Sequence, residues 1–300
     1  MKKCIFIAAI SILLSFKSTL AASYTSFGVY PPKISVVSPP DQKVKVPLKI
    51  INGGDLETLM FSASNISTTL EGSIELNDKQ EEAIAWLKVN NSDLSKAVEK
   101  IDAGAESTIS LTIEIPKNAL SNDHYIALII SALNNESYPT TTVRGIAQIA
   151  IPIIISVKDT NVSEELTINK FEIPTISLNT EIPVNLIVKN PGKYLVETVG
   201  TITSKGMFSS KHQEVLPRET VLAEKERLIG GRGYTFKTNS FGPTNISISI
   251  QLDKSDPLTM TKNVFIIPIQ IFLPILILMI VVVFAVMKSI LTTKTISRKK

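Results

Sequence analysis

The 300-residue sequence predicts an all-β protein, built as two tandem β-sandwich domains that are followed by one transmembrane α-helix. Three observations favour this fold class. Short segments alternate apolar and polar residues, turn residues separate them, and one long uncharged apolar run lies near the C-terminus. Short strands with Gly, Pro and Asn between them at fairly regular spacing are typical of Ig-like sandwiches, so we expect both domains to be Ig-like.

The first series of predicted strands fills the N-terminal half. Residues 44–51 alternate and end at an Asn-Gly-Gly turn, and residues 108–115 alternate up to a proline. Residues 125–132 are more continuously apolar, as expected of a strand at the centre of a sheet. Residues 144–157 form another β-rich run, in which Pro152 marks an edge or a break because proline cannot donate to a ladder.

Residues 78–100 are the main exception to the strand pattern. They contain Glu, Ala and Leu at positions where helix propensity is good, but only one or two short helical turns fit there. Trp86 lies among these residues, and we expect it to fill the sandwich core. A tryptophan that stacks on a ligand is the alternative, which no neighbouring residue supports.

The strand pattern then repeats. Residues 46–54 resemble residues 182–192, because each segment enters a strand through a proline, alternates apolar and polar residues, and ends at an Asn turn. Polar residues at 158–163 separate the two copies. We therefore expect an N-terminal Ig-like domain over 23–158 and a C-terminal Ig-like domain over 159–267.

The apolar run near the C-terminus predicts a transmembrane helix over residues 268–288. Residues 271–287 include 13 Ile, Leu, Val or Phe residues. Side chains of this kind favour insertion by about 4–8 kcal/mol in total, and a helix of about 17–25 residues crosses a bilayer. Residues 289–300 are basic and contain no acid, so the positive-inside rule places this tail in the cytoplasm and both sandwiches outside. The expected protein is a single-pass cell-membrane protein that contacts the lipid bilayer through residues 268–288.

The N-terminus agrees with export. Two lysines precede a 13-residue apolar run from Cys4 to Phe16, and small residues follow. This pattern predicts a signal peptide over residues 1–22, cleaved after Ala21 or Ala22, with an uncleaved N-terminal anchor as the alternative. Cleavage would remove the chain's one cysteine, so the exported domains would be stabilised by their packed cores without disulfides.

The net positive charge of the chain comes from its two ends. The whole chain has a formal net charge of +4, but eight of its 31 basic residues lie in the predicted signal or from Lys288 to the C-terminus, and neither segment contains an acid. The remainder carries 23 basic against 27 acidic residues. A basic nucleic-acid-binding surface is therefore not expected, and nucleic acid is excluded as a partner.

The sequence contains no residue set that we would assign to catalysis, to a cofactor or to a metal. His124 and His212 lie apart, and we expect both to be surface or strand-edge residues. The segment 230–233 is rich in glycine but lacks the Gly-Lys-Ser/Thr ending of a phosphate-binding loop, so we expect an ordinary loop there. No Gly-x-Ser-x-Gly motif occurs. We accordingly expect a protein that is not an enzyme.

The strand 149–157 is unusually apolar and allows two interpretations. It is either buried in a core or domain interface, or it is an exposed edge to which a partner strand is added. Pro152 argues against a long unbroken ladder at that position. Charged substitutions at Ile153 or Ile155 should abolish partner binding if the strand is an exposed edge, and should unfold the domain if it is core.

Several segments resemble the peptidoglycan-binding domain of WxL-interacting surface proteins of Gram-positive bacteria. The matching stretches are residues 29–32, 52–54, 71–74, 101–116, 124–127 and 144–147. The order of signal, two Ig-like domains, one helix and a basic tail is also similar to that of this bacterial family. The chain departs from the pattern at Asn122-Asp123, where the family implies a Gly, and its second half matches only in outline.

Two functions therefore remain open. The first is a non-enzymatic single-pass surface protein that presents its two sandwiches for adhesion or as a scaffold, with a cell-envelope polymer or a surface protein as partner. The alternative is a membrane-tethered assembly chaperone that acts by strand addition. The ligand itself is not specified by the sequence, because sandwich folds carry many functions.

Overall fold

The computed structural model describes residues 26–54, 57–77, 81–133, 147–158, 165–207, 209–252 and 256–297. Two hydrophobic clusters organise these residues. The first is built from buried side chains between Ile34 and Val157, and the second from buried side chains between Leu166 and Ile266. We call the two parts the N-terminal sandwich and the C-terminal sandwich. The predicted boundary at residue 159 lies outside the described residues and stays a prediction.

The N-terminal sandwich has two sheets, ordered β1-β3-β9-β6-β7 and β2-β11-β10-β4-β5, with β8 also paired to β4. Two short 3-10 helices, Glu82–Trp86 and Leu94–Lys96, bridge its end. The strands are β1 Phe27–Tyr30, β2 Ile34–Ser38, β3 Lys43–Asn52, β4 Glu57–Thr68, β5 Ile74–Asn77, β6 Leu87–Val89, β7 Ser92–Asp93, β8 Val98–Ile101, β9 Glu106–Glu114, β10 Asp123–Leu133 and β11 Gln148–Val157.

These strands form because alternate side chains are apolar and meet between the sheets. In β3, Leu48 and Ile50 are fully buried while Lys49 between them faces solvent. Trp86 is 5% exposed and belongs to the same core, which confirms its expected role as a core residue. The short 3-10 helices confirm the prediction that only one or two helical turns fit into this part of the chain.

The C-terminal sandwich is built from a sheet ordered β13-β23-β22-β17-β18, a sheet ordered β12-β15-β20, and the short pairs β14-β21 and β16-β19. Its strands are β12 Thr167–Glu172, β13 Ile176–Ser177, β14 Glu181–Pro183, β15 Asn185–Lys189, β16 Val196–Glu197, β17 Val199–Gly206, β18 His212–Val215, β19 Thr220–Val221, β20 Glu226–Leu228, β21 Thr235–Lys237, β22 Gly242–Gln251 and β23 Leu258–Ile266.

The predicted internal repeat corresponds to a turn that both sandwiches share. Asn52 and Asn190 are almost fully buried, and the side-chain oxygen of each accepts a hydrogen bond of 2.9 Å from the glycine N–H two residues on. Each side-chain amide also donates to two backbone carbonyls of its own sandwich. A buried Asn is therefore required at both positions, since it satisfies one backbone donor and two backbone acceptors at once.

The helix α1 spans Ile269–Ser297 and replaces the predicted transmembrane segment at 268–288. Among the described residues, no helix is long and apolar enough to cross a membrane. This finding contradicts the predicted transmembrane helix, the single-pass topology, the cell-membrane localisation and the bilayer partner, and the fold class is corrected to mainly β-sandwich with one C-terminal helix.

Two further predictions concern residues that the structure does not describe. The predicted signal peptide over 1–22 lies outside the described residues. The end of the predicted basic tail, residues 298–300, also lies outside them. Both stay predictions.

Candidate functional site at the open edge of β11

The polypeptide passes from one sheet of the N-terminal sandwich to the other between β1 and β2. Strand β1 pairs with β3 in one sheet, and β2 pairs with β11 in the other sheet after a crossing of three residues. Strand β2 runs parallel to β11 and covers it only from Ile153 to Val157. Among the described residues, no strand pairs with 148–152 on the side away from β10. Within the described part of the chain, the first half of β11 is therefore an open sheet edge.

The backbone hydrogen bonds show which groups this edge presents. Ala147 accepts a bond of 3.0 Å from the N–H of Ala132, and the Val157 N–H donates across the same strand pair at 3.0 Å. Because backbone groups alternate along a strand, the odd residues of β11 face β10 and the even residues face away. Lys158 agrees with this pattern, since its N–H donates to Ser38 of the β2 side at 3.2 Å.

Pro152 lies at a position of β11 where the strand needs no N–H for its pairing with β10. It is an even residue of β11, so its ring nitrogen faces away from that neighbour. The open groups are then the N–H and C=O of Gln148 and those of Ala150. We call the open position beside residues 148–152, in line with β2, the notch. It is recessed by one strand spacing, about 4.8 Å.

The strand that borders the notch is mostly apolar, and the exposed Lys33 directly precedes β2 at the end of the notch. Ile149 is half-buried against the N-terminal core, and so are Phe27 and Val29 of β1. Strand β11 itself contains no charged residue. Natural edge strands are usually protected by charges, prolines or bulges, and here Pro152 is the only such device within β11.

The residues proposed from the sequence to test strand addition are not at the notch. Ile153 and Ile155 are both fully buried between the sheets, so this half of the strand is core. The exposed-edge interpretation applies instead to residues 148–152. Sequence periodicity could not locate this change, because it depends on where β2 joins the sheet, and that is a long-range pairing.

His124 is not the surface or strand-edge residue that the sequence predicts. It is 7% exposed, its ring packs edge-on against Trp86 with centroids 4.6 Å apart, and its Nδ1 lies 2.8 Å from a carboxylate oxygen of Glu81. The ring's Nε2 is buried with no hydrogen-bond partner among the described residues. The histidine therefore closes the end of the core where the short helix meets β10.

His212 and the segment 230–233 occupy ordinary places in the C-terminal sandwich. His212 is partly exposed and contacts Glu214 on its own strand. Arg232 reaches across to the N-terminal sandwich, where its guanidinium lies 2.6 Å from Glu71 and holds the pKa of that carboxyl below its ordinary value of 4.5. The glycine-rich loop thus contributes to the contact between the sandwiches.

The two sandwiches meet around Asp123, the first residue of β10. Its N–H donates to the carbonyl of Lys193 at 3.0 Å, and its carboxylate accepts from the Leu195 N–H at 2.7 Å. Tyr125 donates its hydroxyl to the same carboxylate and accepts from the Ala223 N–H at 2.9 Å. Burial, together with the Asp123 charge, raises the pKa of the Tyr125 phenol, so it stays a donor. A cavity of about 470 Å³ lies beside this junction.

The described residues contain no group of three or more His, Cys, Asp or Glu side chains placed to hold a metal ion. No catalytic, cofactor or metal residue was assigned from the sequence. The notch is therefore the candidate site that the structure adds, and it is a site for backbone pairing.

Comparisons with known proteins give structural likenesses only. No protein-family model and no curated protein matches the chain. The class 5 fimbriae chaperone CfaA is 15% identical, with a TM-score of 0.44 over 79% of this chain and 99% of that chain. The E. coli chaperone DraB is 9% identical, with a TM-score of 0.41 over 80% and 98%. A structure of the Salmonella enterica SafA pilin in complex with the SafB chaperone is 10% identical, with a TM-score of 0.41 over 82% of this chain and 98% of that chain. The resemblance to WxL-interacting proteins is not tested by these comparisons and stays a prediction.

Proposed function

We propose that this protein is a non-enzymatic assembly chaperone that binds an extended segment of a surface-protein subunit by adding it as a strand at the notch. This is the alternative function expected from the sequence, without its membrane tether. The presentation of two sandwiches from a membrane anchor loses its basis with the correction at 268–288.

The single observation that carries the proposal is the open edge at Gln148 and Ala150. Their two N–H and two C=O groups face away from β10, and no described strand accepts them. An extended segment laid in line with β2 would complete the sheet there. Strand addition of this kind takes its affinity from main-chain bonds and its selectivity from alternate side-chain positions.

Main-chain bonds alone do not make a tight complex. Four bonds at about 0.5–1.5 kcal/mol each contribute about 2–6 kcal/mol in total. The midpoint of this range, about 4 kcal/mol, corresponds to a dissociation constant of about 1 mM. The partner segment should therefore also place apolar side chains between the sheets. The half-buried Ile149 of β11 offers an apolar surface for them. A segment that alternates apolar and polar residues fits this requirement.

The test uses a substitution that removes an edge donor and spares the core. Ala150→Pro deletes one open N–H, and Pro152 shows that a proline is tolerated at an even position of β11. Leu76→Pro is a matched control in β5, at the opposite edge of the same sheet. The N–H of Thr69 donates to the carbonyl of Ser73, so the odd residues of β5 face β4. The N–H of Leu76, an even residue, therefore points away from β4, and its loss breaks no bond of the β4–β5 pair.

Binding is measured with a fluorescent ten-residue peptide of alternating valine and lysine, by anisotropy on the full chain. We expect Ala150→Pro to weaken binding about tenfold, which corresponds to the loss of one bond of about 1.4 kcal/mol. Leu76→Pro should bind as the unmodified chain does. Equal binding by both variants, with both folded by circular dichroism, would overturn the proposal.

A further inference from the structure

We propose that Asn52-Gly53 is a deamidation site that folding closes, and that deamidation of Asn52 in the unfolded chain prevents the N-terminal sandwich from folding. The turn at the end of β3 thereby limits how long an unfolded chain remains able to fold. This inference goes beyond the proposed function and does not depend on the notch.

The sequence places a reactive pair at this turn. Asn52-Gly53 is the one Asn-Gly pair in the chain. In a flexible chain, the backbone nitrogen of the residue after an Asn can attack the side-chain amide carbon. Glycine hinders this attack least, because it has no Cβ beside the nitrogen and its backbone reaches the required angles freely.

The reaction replaces an amide by a carboxylate. A bond forms between the Gly53 nitrogen and Cγ of Asn52, the nitrogen gives its proton to water, and the bond from Cγ to Nδ2 breaks, so that ammonia leaves. The product is a cyclic imide. Water then opens the ring at either of its carbonyls and leaves an aspartate or an isoaspartate at position 52, so water is the only co-reactant.

The folded turn holds the reacting groups in place. The Gly53 N–H donates to the carbonyl of Ser26 at 2.7 Å. The amide nitrogen of Asn52 donates to the carbonyls of residues 101–102 at 3.2 and 3.1 Å, and its oxygen accepts from the Gly54 N–H at 2.9 Å. Asn52 is also almost fully buried. Attack therefore requires a local opening that breaks these bonds, and the free energy of that opening slows the reaction.

The same bonds explain why the product does not fold. The side-chain amide of Asn52 donates to two backbone carbonyls, whereas a carboxylate only accepts. In the product, a buried negative oxygen would face the carbonyl oxygens of Ile101 and Asp102, and both would lose their donor. A buried charge without a partner is costly, and an isoaspartate also lengthens the main chain by one carbon within the turn.

The second copy of the turn is a matched control within the same chain. Asn190 is almost fully buried, and its side chain makes the equivalent three hydrogen bonds. Pro191 follows it, and a proline nitrogen has no proton to lose, so it cannot form the ring by this route. An unfolded chain should therefore be modified at Asn52 and not at Asn190.

The first experiment compares the full chain in buffer with the full chain unfolded in guanidinium chloride, at mildly alkaline pH. Peptide mapping by mass spectrometry gives the rate of conversion at each Asn. We expect Asn52 to be converted in the unfolded chain, and at least about a hundredfold more slowly in buffer, which corresponds to about 2.8 kcal/mol of local opening. Equal rates at Asn52 in the two conditions, or conversion of Asn190 as fast as that of Asn52 in denaturant, overturn the proposal.

The second experiment measures refolding. Chains held in guanidinium chloride for increasing times are diluted into buffer, and the folded fraction is read from the fluorescence of Trp86, which the N-terminal core buries. We expect the fraction that fails to refold to rise with the fraction converted at Asn52. Asn52→Asp, which carries one product directly, should be unfolded or should unfold at a much lower denaturant concentration. Full refolding of converted chains, or unchanged stability of Asn52→Asp, overturns the proposal.

Gly53→Ala separates this reaction from other chemical damage. A Cβ at position 53 lies 3.5 Å from its nearest neighbour, the hydroxyl of Ser26, which is an ordinary contact, so the variant should fold. It should be converted, and lose the ability to refold, about tenfold more slowly, which corresponds to about 1.4 kcal/mol in the barrier. A loss of refolding that is as fast in Gly53→Ala as in the unmodified chain would show that the damage lies elsewhere, and the proposal would be wrong.

Discussion

The carboxylate of Asp123 accepts a hydrogen bond of 2.7 Å from the backbone N–H of Leu195, and this bond joins strand β10 to the C-terminal sandwich. The same oxygen accepts the hydroxyl of Tyr125. Asp123 is 5% exposed, so its carboxylate is largely removed from solvent. One buried side chain thus makes a central part of the contact between the two sandwiches.

Substitution of Asp123 should loosen this junction. In Asp123→Ala, the Leu195 N–H and the Tyr125 hydroxyl lose their acceptor, and a buried unpaired group costs about 1–3 kcal/mol. Asp123→Asn keeps an acceptor oxygen and should lose less. Unfolding in urea measures both free energies of unfolding. Equal stability of the alanine variant and the unmodified chain would contradict the role given to Asp123.

Substitution of His124 should be visible through the chain's one tryptophan. In His124→Ala, Trp86 loses a ring packed at 4.6 Å and Glu81 loses its hydrogen-bond partner. We expect a loss of about 1–3 kcal/mol in the free energy of unfolding and a red shift of the Trp86 emission as water reaches the ring. His212→Ala, at the partly exposed histidine of the other sandwich, is the control and should leave the Trp86 emission unchanged.

The two halves of β11 should respond differently to truncation. Ile153 is fully buried, so Ile153→Ala should cost about 2–5 kcal/mol. Ile149 is half-buried beside the notch, and Ile149→Ala should cost less. Denaturant midpoints of the two variants provide the comparison. A larger loss at Ile149 would contradict the division of the strand into an open edge and a core half.

Glu114 should contribute to the loss of folding stability at low pH. Lys43 and Lys88 flank this carboxylate, with Lys88 Nζ 2.7 Å away, and they lower its pKa to about 2 from an ordinary value of 4.5. A carboxyl with a depressed pKa stabilises the folded state above its unfolded pKa, and this contribution is lost as the pH falls from about 4.5 to about 2. Thermal midpoints of Glu114→Gln should therefore lie below those of the unmodified chain at neutral pH and converge with them near pH 2. A constant difference across that range would contradict this assignment.

Local patterns predicted much of the N-terminal sandwich. The alternation at 44–51 and 108–115 corresponds to β3 and β9, and the continuous apolar run at 125–132 corresponds to the central strand β10. The Asn turns shared by the two sandwiches also follow from the sequence, because each Asn bonds to residues close along the chain as well as to distant ones.

The site could not be predicted in the same way. Whether residues 148–152 are open depends on β2, which lies more than 100 residues earlier in the chain and joins the sheet only at Ile153. The burial of His124 likewise depends on Glu81 and Trp86, which the 3-10 helix brings to the start of β10. Both are consequences of long-range pairing that periodicity does not contain.

Amide hydrogen exchange at Ala150 tests the central claim most directly. The measurement is made at a concentration where the full chain sediments as a monomer, with and without the valine–lysine peptide. The account predicts that the amides of Gln148 and Ala150 exchange rapidly in the free monomer and become at least about tenfold slower when the peptide is bound, while the amide of Leu76 at the opposite edge is unchanged. Slow exchange at Gln148 and Ala150 in the free monomer, or peptide binding without protection of these two amides, would contradict the claim that this edge receives a strand.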